Sequence, residues 1–421
     1  MPNASRVLFA SMIGTTIEFF DFYIYATAAV LVFPRLFFAA GDPTAAVLQS
    51  LATFALAFFA RPVGSALFGH FGDRIGRKKT LVASLMTMGL STVLIGLLPT
   101  YATIGVAAPL LLCLCRFGQG LGLGGEWGGA VLLAVENAPE GRRARYGMFP
   151  QFGAPAGFLC STGIFLALTN LMTDAQFFAY GWRIPFLASA ALVFVGLYVR
   201  LRLTETPAFT RAIAKNERVR VPMLTLFRHQ WGTVLLGAFA AMATFVIFYL
   251  MTVFSLSWAI AQFGYTRRDF LILQMIAVLF FALTIPISAA LADRYGRYRM
   301  LIGASAGIML YGVFYGRLFG SGSTAGMLLF LSLGLALMGL TYGPLGTTLT
   351  ELYPTTVRYT GASLSFNLAG IVGASLAPYI ATRLATDFSV AAVGYYLSSA
   401  GLLTLIALLI LGVQSIRSQR I

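Results

Sequence analysis

The segment Gly69–Lys79 reads GHFGDRIGRKK, and Ala290–Met300 reads ALADRYGRYRM. Both contain Asp-Arg-x-Gly-Arg, and the two aspartates, Asp73 and Asp293, stand 220 positions apart. Each segment lies between two long apolar runs. A second pair keeps nearly the same offset: Glu136 opens ENAPEGRRARYG and Glu351 opens ELYPTTVRYTG, 215 positions on, and both begin Glu-x-x-Pro. Two echoes at almost one offset mark the chain as a duplicated unit, each copy about half its length.

Composition says what the unit is made of. Of 421 residues, 58% are hydrophobic and only 10% charged, against about 25% charged in a soluble domain; the mean hydropathy is +0.83. Apolar runs of roughly 20 residues recur, the length of a helix that crosses a bilayer, without the ~10-residue alternation of outer-membrane strands. Twelve such spans are expected, at 7–34, 47–70, 79–98, 104–136, 144–170, 182–203, 231–262, 269–291, 299–318, 324–350, 356–383 and 390–413. The first is too long for the apolar core of a cleaved leader and is read as a retained helix. The charged stretch 204–230 divides an N-terminal six-helix bundle (1–203) from a C-terminal one (231–421). The expected fold is an all-α polytopic membrane protein, with twelve transmembrane helices in two pseudo-symmetric six-helix bundles. Repeats of this kind build secondary transporters, whose substrate sites lie near the midplane between the repeats.

The net charge of +15 belongs to the loops rather than to a nucleic-acid surface. With the N-terminus inside and sides alternating, 21 of the 29 Lys and Arg fall on the cytoplasmic side and six on the other. By the positive-inside rule both termini are cytoplasmic. Cys113, Cys115 and Cys160 fall within apolar runs without metal-ligand spacing and are read as buried structural residues.

The polar residues inside the spans carry the chemistry. In GTTIEFFDFYIYATAAVLVF (14–33), Glu18, Asp21 and Tyr25 recur at spacings of three and four, along one helix face. A charge at bilayer depth costs several kcal/mol unless it faces a cavity or a partner. Arg61 lies within the second span and Arg116 within the fourth, where Gln119 and Glu126 follow it. Arginine keeps its proton and grips carboxylates with a two-pronged fork, so Arg61 and Arg116 are candidates to bind an anionic substrate or to balance a carboxylate. Asp21, Glu18 and Glu126 are candidates for proton carriage; which acid pairs with which arginine is left open. Tyr25, Gln119 and Gln151 in the first half, and Tyr249, Gln274, Tyr342 and Asn367 in the second, complete the substrate candidates. The N-terminal half thus supplies charge, and the C-terminal half hydroxyls, amides and aromatic walls. The repeated loops are read as a cytoplasmic gate formed by Asp73, Arg74, Gly76 and Arg77 and, in the second copy, Asp293, Arg294 and Arg297.

Some patterns exclude functions. Gly120, Gly122 and Gly125 satisfy G-x-G-x-x-G, but inside an apolar span rather than after a strand, so close helix packing explains them better than a dinucleotide. No phosphate-binding G-x-x-x-x-G-K-[ST] occurs, no metal set or nucleophile–base pair is found, and neither a cofactor nor an enzymatic activity is expected.

These motifs resemble the major facilitator superfamily. GHFGDRIGRKK is similar to its signature loop, and RFGQG to its span-four motif, whose arginine maps to Arg116 and is associated with proton coupling. The second loop departs from the pattern, with Ala289 where a glycine is expected. IEFFDFYIY, FFARPVGSALFGHFGDRIGRKK, RFGQGLGLGGEWGGA, GWRIPF and ETPAF resemble the metabolite:proton symporters, which carry shikimate, di- and tricarboxylates, α-ketoglutarate, or proline and betaine; the wording is most similar to the shikimate-transporter-like branch. The resemblance implies proton-driven uptake by alternating access in a bacterial inner membrane. The expected partners are a proton, a small organic anion or zwitterion, and the lipid bilayer, with no nucleic acid, and the chain is expected to be a monomer. The rival readings are an uncoupled facilitator of a neutral solute such as a sugar, and a non-transporting membrane sensor.

Overall fold

The computed structural model describes residues 2–38, 42–75, 77–201, 226, 228, 230–320, 322–354 and 357–418. Ten helices are long and apolar enough to cross a membrane: Pro43–Phe68, Ala107–Glu136, Arg143–Leu171, Gly181–Tyr198, Trp231–Gln262, Arg267–Tyr295, Arg297–Phe319, Thr324–Glu351, Arg358–Asp387 and Val390–Gln414. Pro2–Leu31, which carries the two acids, and Arg77–Leu97 complete the twelve expected spans. They are numbered here one to twelve in chain order. Most of the stretch 204–230 lies outside the described residues.

The packing repeats at an offset of six. In the first half, spans one and five, two and four, three and four, and three and six pack together; in the second, seven and eleven, eight and ten, nine and ten, and nine and twelve. Across the halves, span two meets span eleven and span five meets span eight. These two contacts interchange under the same offset, so a pseudo-twofold axis runs between the bundles. Outward-facing side chains such as Leu110, Leu114, Phe194, Leu283, Leu310 and Val313 are apolar, as a lipid-facing surface requires. Cys113 and Cys115 are only partly buried and Cys160 is exposed, which corrects the expectation of buried structural cysteines: helical position turned them outward, where a small apolar side chain is equally at home.

Glycines set how closely the first bundle closes. In span four, Gly120 and Gly124 rest on the backbone of Ala57 and Arg61 in span two, while Gly118 and Gly122 rest on Ser91 and Met88 in span three. On a third side, Gly128 and Gly129 meet Ser363 and Tyr359 of span eleven. A side chain at Gly124 would occupy the Arg61 carbonyl, so this small-residue seam fixes the depth of Arg61. Pro62 follows immediately inside the same helix and leaves the Phe58 carbonyl without its usual donor.

The second bundle has two wide π-helical turns, Leu250–Phe254 in span seven and Ile371–Ser375 in span eleven. Such turns often mark functional positions.

Candidate functional site

Spans one, two, four, five, seven and ten bring the polar groups to the centre. Glu18, Asp21, Arg61, Arg116, Gln119, Glu126 and Gln151 are all buried, and they fall into distinct settings.

Arg61 lies where the halves meet. Its guanidinium carbon sits 4.6 Å from the Phe22 ring centre and 4.9 Å from that of Phe58, a cation–π arrangement on two faces. Tyr249 of span seven packs on the same rings, 5.7 Å from Phe58 and 6.4 Å from Phe22. Glu18, Tyr23, Tyr249 and Tyr342 are within electrostatic reach of the guanidinium. Its buried Nε has no hydrogen-bond acceptor among the described residues. Such an orphaned charged donor costs stability unless a ligand supplies the acceptor. One layer away, Gln151 Nε2 donates to the Tyr342 carbonyl at 2.9 Å and its Oε1 accepts from Trp127 Nε1 at 3.1 Å. The Trp127 ring lies flat on Phe366, centres 3.6 Å apart. Gln151 and Trp127 therefore join spans four and five to spans ten and eleven.

Asp21 and Arg116 form a second setting, inside the first bundle. Asp21 Oδ1 accepts from Ser189 of span six at 2.6 Å, and Oδ2 faces Thr92 of span three at 3.4 Å. Gln119 Nε2 donates to Thr92 Oγ1 at 2.8 Å, and Arg116 Nη1 donates to Gln119 Oε1 at 2.9 Å. Arg116 Nε and Nη2 reach the Phe54 carbonyl at 3.4 Å. The rings of Tyr25, Phe22 and Phe54 lie 4.0, 4.3 and 4.9 Å from its guanidinium carbon. No arginine stands within ion-pair distance of Asp21 among the described residues; one hydroxyl, of Thr92, and one amide, of Gln119, lie between the acid and the cation. Tyr25 turns to span two, its hydroxyl 2.8 Å from Thr53 Oγ1. Glu18, Asp21 and Tyr25 thus share a broad buried face yet address three different neighbours.

The face carrying both chain ends is sealed across the halves. Asp293 accepts from the Ala144 and Arg145 amides at 2.9 and 3.1 Å, capping the start of span five, whose first N–H groups have no helical acceptor. Glu351 pairs with Arg143 at 3.0 Å and with Arg297. Asn367 Nδ2 donates to Ser65 Oγ at 2.8 Å and to the Gly124 carbonyl at 3.2 Å, and the Tyr359 hydroxyl donates to the Gly125 carbonyl. Ala289, in place of the expected glycine, packs with Ala292 against Ala144. Arg294 stacks on its neighbour Tyr295. Gly76 lies outside the described residues, as do the side chains of Asp73, Arg74 and Arg77.

On the opposite side of the centre, Tyr23, Ala26, Thr27, Phe158, Thr252, Val253, Leu256 and Gln274 line a narrow cleft. Gln274 Nε2 donates to the Met251 and Thr252 carbonyls at 3.2 and 2.7 Å, taking up acceptors at the π-turn of span seven. At the rim, Arg267 pairs with Asp174 at 3.2 Å.

Two bundles related by a twofold, with buried charge between and within them, match known transporters. The family model described as "Major Facilitator Superfamily" matches residues 11–378. The chain belongs to the major facilitator superfamily. It is 57% identical to the inner membrane metabolite transport protein YhjE of Escherichia coli K12 over 413 residues, covering 97% of this chain and 94% of that protein. It is 37% identical to the shikimate transporter of the same organism, covering 92% and 90%. Among solved structures, a partially occluded, inward-open form of the E. coli xylose transporter XylE superposes with a TM-score of 0.74 at 15% identity, covering 97% of each chain; that likeness speaks to fold alone. The transporter is a multi-span membrane protein, not an enzyme. Sequence reasoning did not single out Thr92, Ser189, Trp127 or Phe22, since isolated hydroxyls and aromatics are ordinary in membrane spans.

Proposed function

We propose that the protein is a proton-coupled symporter that imports a small carboxylate-bearing metabolite by alternating access. The observation that carries this reading is Arg61: a buried cation between the halves, clasped by aromatic rings, whose Nε lacks an acceptor. A carboxylate supplies what that fork lacks, and Tyr249 and Tyr342, within electrostatic reach of the guanidinium, are candidates to contact the rest of the solute. Relatives named for shikimate and for proline/betaine support a carboxylate-bearing substrate.

The proton belongs on Asp21, with Glu18 as the alternative beside Arg61. Charge on a buried carboxyl held only by hydroxyls is costly, so gaining and losing a proton there changes the energy of the bundle. Asp293, Glu351 and their partners hold one end shut, and substrate with proton favours the state open at that end only through differential affinity. The excess of basic residues supports cytoplasmic termini, and the inner-membrane relative supports that membrane for this chain.

The test is uptake into sealed proteoliposomes under an imposed proton gradient, with a panel of small carboxylates and neutral sugars as competitors. Carboxylates should compete, sugars should not, and an uncoupler should abolish accumulation. Accumulation that ignores the uncoupler, or competition by neutral sugars alone, refutes the reading.

A further inference from the structure

The chain of hydrogen bonds between Asp21 and Arg116 has a direction that can be worked out from donor and acceptor chemistry. A guanidinium offers only donors, so the group 2.9 Å from Arg116 Nη1 has to be the Gln119 carbonyl oxygen. That fixes the Gln119 amide nitrogen towards Thr92, 2.8 Å away. Thr92 Oγ1 therefore already accepts one hydrogen and retains one hydrogen and one lone pair. Two oxygens compete for that hydrogen: the Met88 carbonyl at 3.0 Å and Asp21 Oδ2 at 3.4 Å. The other carboxyl oxygen is occupied by Ser189.

Ionised Asp21 can only accept, so it draws the Thr92 hydrogen to Oδ2. Once protonated at Oδ2 it becomes a donor, and Thr92 has to turn its own hydrogen to Met88 and accept from the acid. The Gln119 amide then meets a hydroxyl of altered polarity, and Arg116 meets an altered amide. The remaining acceptor of Arg116, the Phe54 carbonyl, stands at a longer 3.4 Å, so the Gln119 bond is the one through which the cation senses change. We propose that Thr92 is a hydroxyl switch that transmits the protonation state of Asp21 through Gln119 to Arg116. This rests on Asp21 being the proton site. Around the acid, span three contributes Thr92 and span six Ser189, neither titratable; the titratable or charged groups nearby are Glu18 and Tyr25 on its own helix, Arg116 with Cys113 and Cys115 on span four, Arg61 on span two and Tyr249 on span seven. Thr92 is a positioning residue in this scheme: it hydrogen-bonds the acid but neither gives nor takes its proton and does not touch substrate.

The experiment needs no substrate. Purified full-length protein in lipid, with isotope-labelled arginine, is followed by pH-difference infrared spectroscopy. A protonated-carboxyl band that disappears in Asp21→Asn identifies the acid, and a guanidinium band that disappears in Arg116→Lys identifies the cation. The Arg116 band should shift as Asp21 titrates in the parent protein and in Thr92→Ser, which keeps the hydroxyl. The shift should be lost in Thr92→Val, and also in Gln119→Leu, which breaks the next link if the valine variant folds poorly. An Arg116 band that still follows Asp21 in both broken variants overturns the switch and leaves the proton site standing. If no titrating carboxyl band depends on Asp21, the proton assignment falls and takes the switch with it.

Discussion

Replacing Asp293 by alanine should unlatch the face that carries the chain ends. The carboxylate accepts two amides at the start of span five, at 2.9 and 3.1 Å, and its side chain is only 10% exposed. Hydrogen bonds to charged groups contribute about 1.5–3 kcal/mol each. The Arg145 amide is exposed and regains water, which holds the pair to the low end, about 2–3 kcal/mol in total. The ion pair with Arg145, at 3.8 Å and half exposed, adds little. A loss of that size shifts the closed-to-open ratio roughly 30- to 140-fold, at 1.4 kcal/mol per factor of ten. Labelling reads the shift: in a background lacking Cys113, Cys115 and Cys160, a Ser363→Cys thiol sits at the closed interface, where Ser363 is 3% exposed and lies against Gly128. Its alkylation by a membrane-impermeant maleimide applied from that face should accelerate by about the same factor when Asp293→Ala is added. Asp174→Ala, which removes an exposed bridge at the opposite face, should change the rate less than about fivefold. An unchanged rate in Asp293→Ala, or rapid labelling before the latch is cut, refutes the argument.

Arg61→Gln should weaken carboxylate competition about 100-fold, the loss of two charge-assisted bonds at the low end of their range, while Arg61→Lys, which keeps charge without the fork, should fall between. Asp21→Asn should abolish accumulation against a gradient and spare exchange; intact accumulation in proteoliposomes would remove Asp21 from the proton role. Gly122→Ala places a methyl 2.7 Å from the Met88 nitrogen and the Ser84 carbonyl, so thermal unfolding in detergent should show a loss of about 1–3 kcal/mol. Gly303→Ala meets open space and should be neutral or stabilising by about 0.5–1 kcal/mol.

Much of the fold could be read from the sequence because the bilayer imposes a length on every apolar run and leaves most charge at the ends. The repeated Asp-Arg-x-Gly-Arg loops announced the duplication, and the pairing of spans at an offset of six is its spatial form. Side-chain direction was harder to read. Spacings of three and four put Glu18, Asp21 and Tyr25 on one broad face, but only the neighbouring helices determine that one lies within electrostatic reach of the central cation, another against two hydroxyls and the third against Thr53. Thr92 and Ser189 gave no signal, because a single hydroxyl in a span usually bonds its own helix backbone. Cross-half pairing was hidden for a related reason: Asp293 caps a helix at Ala144, 149 positions away, and nothing local encodes that choice.

Phe22 has a guanidinium carbon 4.6 Å from its ring centre on account of Arg61 and another at 4.3 Å on account of Arg116. One benzene ring thus serves two like charges that repel each other across it. An anion arriving at either cation relieves that repulsion and frees more of the ring's negative π-density for the other. Arg61 and Arg116 are therefore coupled electrically through a single uncharged side chain.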